Sequence, residues 1–275
     1  MSPTLIDAIV LLLTVLYALL TEAAARRYFV GRSRIDGSWT PLLIGVVSLH
    51  FLALLLRGLE TRSCPVLTQW EALSFFAFSV AAIYLVLELR RKIRVTAFFV
   101  LSIAMFTQFL SAVFIIGDSA QQGSGSPDFG ASLHAFAALF GLSGVVVAGT
   151  FGALYIHLHR KIQSGSHGLF YNRMPSLEEL SDLNASAAAV AFLALSVTVG
   201  IGGYSYFSVD PSELTVALPI GPIALTVGLW LLLGVCAVGH RLDRFGGVRL
   251  AGCTVIALLA AFGLLFSIGQ QGVHG

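Results

Sequence analysis

SLHAFAALFGLSGVVVAGTFGALYIHLHRK, residues 132–161, decides the fold. A histidine stands near its start at position 134, and more than 20 residues without a formal charge follow before Arg160 and Lys161. A bilayer core of roughly 30 Å needs about 20 helical residues, so the stretch reads as a transmembrane helix. Its flanks are unlike. Residues 117–131 hold two aspartates and no lysine or arginine, whereas Arg160, Lys161 and Arg173 follow the run. Basic residues collect on the cytoplasmic side of a span, which places His134 at the opposite, non-cytoplasmic surface.

The whole chain has the same character. Of 275 residues, 57% are hydrophobic and 11% charged. That composition excludes a soluble domain of this size and points to an integral membrane protein. The first apolar run ends in Arg26 and Arg27 without basic residues ahead of it, the pattern of a retained span rather than a cleaved leader. Cys64, Cys236 and Cys253 form neither a CxxC pair nor a CxxCH haem-attachment motif. Cys236 and Cys253 lie in apolar runs and read as small core residues.

Eight spans are expected, at roughly 5–25, 38–58, 69–89, 95–116, 132–159, 184–206, 219–240 and 248–270. The odd-numbered loops carry 14 of the 16 basic residues and the even loops only Arg57 and Arg62. This alternation predicts an all-α, polytopic bundle of about eight transmembrane helices with both termini on the non-cytoplasmic side. Residues 1–275 read as a single integral membrane domain. Ser176 with Glu178 and Glu179 marks the start of a short helix in the loop after the fifth span. The sixth span is rich in small residues, Gly200, Gly202 and Gly203 among them, and these read as ordinary close helix packing.

The seven histidines sort by topology. His157, His159 and His167 fall at or beyond the cytoplasmic end of the fifth span, and the first two, two residues apart, do not share a helix face. They carry no assigned function. His134 and His274 are both expected at the outer side, on separate helices. They are either polar residues at helix ends or a pair of axial ligands to one metal such as haem iron. His50 lies 12 residues into the second span, roughly 18 Å from its inner end at 1.5 Å per residue. An ionisable group at that depth is a functional candidate by default; the alternative is a neutral histidine hydrogen-bonded to a neighbouring helix. His240 ends the seventh span beside Arg241, at a depth that does not match His50.

Other polar groups are weaker signals. Arg57 and Glu60 are three apart on one helix face and read as an ion pair, with an acidic group of a ligand as the other partner for Arg57. Trp70 reads as an interfacial anchor. Asp210 and Glu213 sit in an outer loop as turn or cap residues. No Ser–His–Asp arrangement, Walker loop or HExxH occurs, so the chain offers no hydrolase, NTPase or nucleic-acid signature.

Four stretches resemble the cytochrome c assembly protein family, the CcsA/HemX type. They are SLHFLALLLRGLE, with His50 to Glu60; TQWEALSFFAFSVAAIYLVLE, Thr68 to Glu88; LHAFAALFGLSGVVVAGTFGALYIHLHRKI, followed by MPSLEELSDL; and GHRLDRFGGVRLAGCTVIALLAAFG, ending in GVHG. The resemblance covers most of the chain. It implies haem b as cofactor, held by paired histidines: His134 and His274 match an outer pair, His240 a membrane histidine, and His50 the intramembrane histidine of the shorter members. Arg57 is a guess for a propionate partner. Full-length synthases of the family carry a tryptophan-rich segment between the sixth and seventh spans. Here that place reads GGYSYFSVDPSELTVALP, without tryptophan.

The resemblance therefore implies a short member in the bacterial inner membrane that holds haem or moves it toward the outer face. Without the tryptophan-rich segment, haem ligation to apocytochrome is not expected, and no catalytic residue is assigned. The implied partners are haem, apocytochrome c and other cytochrome c biogenesis membrane proteins, with the lipid bilayer around them. Two rival readings use the same histidines differently. One is a di-haem b-type electron-transfer subunit. The other is a non-haem small-molecule or metal transporter with His50 as a proton relay.

Overall fold

A computed structural model describes residues 3–31, 35, 37–61, 66, 68–115, 129–166, 168–208, 220–242 and 245–271. The described residues form helices joined by turns, with no strand. In order these are α1 (Pro3–Val30), α2 (Trp39–Thr61), α3 (Gln69–Arg91), α4 (Ala97–Ile115), α5 (Phe129–Gln163), α6 (Leu169–Arg173), α7 (Leu177–Ser208), α8 (Ile220–Arg241) and α9 (Val248–Gln271). The described parts of α1, α2, α3, α4, α5, α7 and α8 are each long and apolar enough to cross a membrane. Of α9, the part whose side chains are described is the apolar run Val248–Leu264. The chain is thus an all-helical, multi-pass membrane protein, because only a helix satisfies every backbone group within a single segment in lipid.

Two compact helix groups make up the fold. The first comprises Met1–Ser132 with Ser164–Pro175, and the second Leu133–Gln163 with Ser176–Gly275. In the first group α4 packs against both α1 and α3, while α2 contacts α1 and α3. Its core is Leu13, Tyr17, Leu43, Val80, Tyr84 and Leu101, with Trp39 at the arginine-rich end. The short α6 belongs here because Phe170 meets Phe99 edge-on at 6.4 Å and Arg173 fills the space beside Gly31. Gly31 ends α1 at φ +92°, a backbone conformation glycine adopts without strain, and its N–H donates to Arg27 O at 3.0 Å.

Local signals explain the ends of α3. Thr68 Oγ1 accepts from Glu71 N at 3.2 Å, and Glu71 Oε2 accepts from Thr68 N at 3.3 Å, a complete capping box. At the other end Lys92 takes the left-handed conformation, φ 58°, and its N–H donates to Glu88 O. The Glu88 side chain is buried. Its carboxylate accepts from Trp39 Nε1 at 2.8 Å and Thr40 Oγ1 at 3.0 Å, with Arg94 Nε 3.5 Å away. The Arg27 guanidinium lies 5.1 Å over the Trp39 ring, a cation–π contact.

In the second group α5 runs against α7 and α9 on glycine. A side chain at Gly144 would lie 2.9 Å from the Ala191 Cα, and one at Gly141 would meet the Leu195 side chain at 2.7 Å. Farther along, Gly149 faces Leu258, and Gly152 faces Ala251 and Thr254. This is small-residue packing as expected in membranes, with glycines of α5 set against the alanine-rich face of α7. Gly200 and Gly203 of α7 face open space; α7 packs through Ala187, Ala188 and Ala191. Cys236 is buried against Ala185 and Leu250, with Cys253 beside it, and both thiols are free.

The expected short helix at Ser176 is instead the first turn of α7, which continues to Ser208. Ser176 Oγ accepts from Glu179 N at 3.2 Å, and Glu179 Oε2 accepts from Ser176 N at 2.9 Å. The capping signal was correctly placed; the apolar run behind it simply continues the helix into the span.

Candidate functional site

His50 sits in the first group at 0% exposure, the middle of a hydrogen-bonded chain across four helices. Ser74 Oγ donates to Gln108 Oε1 at 3.0 Å. Its one proton is then used, so it accepts from His50 Nε2 at 3.0 Å, and Nδ1 on the other side of the ring accepts from Tyr17 O–H at 3.0 Å. The network assigns His50 the Nε2–H tautomer. Phe78 and Tyr17 enclose the ring edge-on at 5.6 Å each. Gln108 Nε2 is buried with no hydrogen-bond partner among the described residues.

Arg57 stands seven residues beyond His50 on α2. Arg57 makes a contact across helices: its Nε donates to Glu71 Oε1 at 2.6 Å. The Glu60 side chain lies outside the described residues. Glu71 therefore caps α3 with one oxygen and holds Arg57 with the other. A crevice of about 20 Å³ runs between this pair and His50, walled by Val10, Leu13 and Leu54.

These residues do not fit an axial haem ligand at His50. Both ring nitrogens are engaged by protein partners. The adjoining crevice has room for about one water-sized group, which takes roughly 10–15 Å³, against roughly 300–1,000 Å³ for a ligand pocket. Arg57, held by Glu71, is likewise engaged before any propionate arrives.

His134 is different. It stands near the start of α5, half-buried, and its Nδ1 is buried with no hydrogen-bond partner among the described residues. The ring rests on the bare backbone of Gly202 in α7: a Cβ there would lie 3.1 Å from Cε1 and 3.5 Å from Nδ1. Just beyond Gly202, Tyr204, Tyr206 and Phe207 are exposed, Phe207 at 86%. An imidazole with an unclaimed nitrogen fits an iron porphyrin in donor chemistry, and the exposed aromatic residues follow within five positions of Gly202 on α7.

His240, at the end of α8, has Nε2 3.7 Å from Asp182 Oδ1. That distance is a loose charge contact, longer than a hydrogen bond. His240 lies at the opposite end of this group from His134. Phe245 covers the neighbouring Gly239, and Gly247 abuts Tyr155, 21 residues along α5 from His134 and so about 31 Å away at 1.5 Å per residue. One iron does not span both. His274 and His167 lie outside the described residues, as do Asp210 and Glu213. Of the remaining histidines, His157 is exposed and His159 stacks on Tyr155 at 6.2 Å. Trp70 stacks on Phe114 at 4.1 Å. Among the described residues no three His, Cys, Asp or Glu side chains gather to hold a bare metal ion.

The chain matches no family model, no curated protein and no solved structure.

Sequence reasoning missed Tyr17, Ser74, Gln108, Glu71 and Gly202. Glu71 and Ser74 were legible as polar residues three apart on one face of an apolar span, a spacing that marks an inward-facing stripe. Gly202 carried no such signal, since its neighbours Gly200 and Gly203 look the same in sequence and face nothing.

Proposed function

We propose that this chain is a haem-handling protein of the bacterial inner membrane, with haem b held near the His134 end of α5 and His274 as the second axial ligand. Both termini then lie on the non-cytoplasmic side, and the eighth span is α9. The observation that carries the reading is the buried, partnerless Nδ1 of His134, set against Gly202 and near exposed aromatic side chains. The resemblance of the quoted motifs to the cytochrome c assembly proteins supports it independently.

Bound haem supplies an iron that takes imidazole nitrogen on its axial positions. The chain's own residues do the rest. His134 offers the nitrogen, Gly202 leaves the ring its place, and Tyr204, Tyr206 and Phe207 offer apolar surface to a flat macrocycle. His240, with Asp182 3.7 Å away, is a second and separate imidazole site. The role is holding or passing haem, accessory to cytochrome c biogenesis or haem homeostasis, with apocytochrome c or other biogenesis membrane proteins as partners.

The test is the visible spectrum of the purified protein loaded with haem. A Soret band that is lost in His134→Ala and retained in His50→Ala supports the reading. A colourless wild-type protein that does not take up haem refutes it. Such a protein would favour a second reading, a non-haem transporter. The observation behind that reading is the continuous polar chain Tyr17–His50–Ser74–Gln108 buried inside a group of apolar helices.

A further inference from the structure

Among the cavities described in this molecule, one joins ligand-sized apolar space to a charge. The crevice at His50 is polar but holds about 20 Å³. A groove of about 510 Å³ along α7 and α8, over Phe192, Trp230 and Gly234, is wholly apolar. The third lies between α1 and α2. It measures about 310 Å³, and Leu16, Leu20, Leu42 and Val46 wall it. At one end stand Glu22 and Arg26, an ion pair one helical turn apart on the exposed face of α1.

The sequence that follows this ion pair is net basic. Residues 22–36 contain four arginines, Arg26, Arg27, Arg32 and Arg34, against two acids, Glu22 and Asp36. α1 leans on α4 more closely than on α2, which leaves the α1–α2 seam open along its flank. An apolar slot in the flank of a membrane-spanning helix pair, ending at an arginine where the chain leaves the apolar region, matches an acyl chain with its phosphate at the end.

We propose that the α1–α2 cleft binds one anionic phospholipid, an acyl chain along Leu16, Leu20, Leu42 and Val46 and the phosphate at Arg26. Glu22 holds the Arg26 side chain over the mouth of the cleft when no lipid is there and shares it when one is. The site is independent of the haem reading, since it lies on the other helix group from His134.

The probes are phosphatidylglycerol and phosphatidylcholine of identical chains, added to the detergent-purified full chain and counted by native mass spectrometry. The wild type is expected to bind phosphatidylglycerol at least about fivefold more tightly, the factor one arginine contributes near an anionic headgroup. Arg26→Gln removes that preference, and Glu22→Gln increases it. Leu42→Trp, at a half-exposed wall position, fills the slot and lowers binding of both lipids; Leu19→Trp, at another exposed position lining the same cleft, repeats the test should that variant fold poorly. Arg90→Gln, an exposed arginine at the end of α3, changes nothing. Equal binding of the two lipids by the wild type overturns the proposal. So does an equal loss in Arg26→Gln and Arg90→Gln, which is general surface attraction, or unchanged binding in both tryptophan variants, which is annular lipid only.

Discussion

Arg57 Nε and Glu71 Oε1 lie 2.6 Å apart, tying α2 to the first turn of α3, while the second Glu71 oxygen completes the capping box with Thr68. One carboxylate thus fixes both the start of a helix and the crossing of two. The Glu71 side chain is 7% exposed and that of Arg57 22%.

Removing either partner leaves the other charge partly buried. Arg57→Ala is expected to cost about 2 kcal/mol, below the roughly 3–5 kcal/mol of a fully buried pair because Arg57 is partly exposed. Glu71→Gln costs less than Glu71→Ala, since glutamine still accepts from Thr68 N. Thermal unfolding in detergent, followed by circular dichroism, ranks the three.

The chain through His50 is directional, and its members are unequal. Tyr17→Phe takes away one donor and strands one acceptor, about 1–3 kcal/mol. Ser74→Ala strands two groups, the Nε2–H of His50 and Oε1 of Gln108, and is the more damaging. Nitrogen-15 spectra of labelled histidine read the tautomer directly. The expected wild-type signal is the Nε2–H form, and an Nδ1–H signal refutes the assigned direction.

Two carboxylates show what burial does to an ion pair. Glu22 and Arg26 are both about half exposed, 51% and 52%, and Glu22→Ala is expected to change stability by less than about 0.5 kcal/mol. Glu88 has a 1% exposed side chain, and Glu88→Ala strips the acceptor from Trp39 Nε1 and Thr40 Oγ1. That variant is expected to lose about 3 kcal/mol or more. Chemical denaturation of the two variants side by side measures the contrast.

Glycines of equal appearance differ in what surrounds them. Gly144→Ala drives a methyl against the Ala191 backbone and is expected to cost about 1–3 kcal/mol. Gly200→Ala meets nothing within 4 Å and gains helix propensity, so stability stays level or rises by about 1 kcal/mol. The same unfolding assay separates them.

Much of the helix pattern was legible because it depends on local quantities. Each of the eight expected spans overlaps one helix, since apolar run length and flanking charge act within a segment. The caps at Thr68 and Ser176 are equally local. What escaped was pairing between segments. Glu71 of the next helix holds Arg57, a partner that no spacing within α2 points to. His50 stood out by depth alone, but the identities of Tyr17, Ser74 and Gln108 as its partners depend on how four helices are rotated. The helical period fixes a face, not the neighbour that face meets. His134 was singled out for its place at the start of a span; the unclaimed nitrogen and the bare Gly202 behind it are properties of packing.

The contact at Gly144 is with the Ala191 Cα and N as well as its Cβ, so trimming the opposite methyl leaves the backbone in the way. At Gly141 the closest obstacle is the Leu195 side chain, which can swing or shorten, with the Leu195 backbone N farther off at 3.3 Å. Drift among descendants of this chain should therefore be uneven within a single turn: position 141 free to exchange in concert with 195, position 144 frozen.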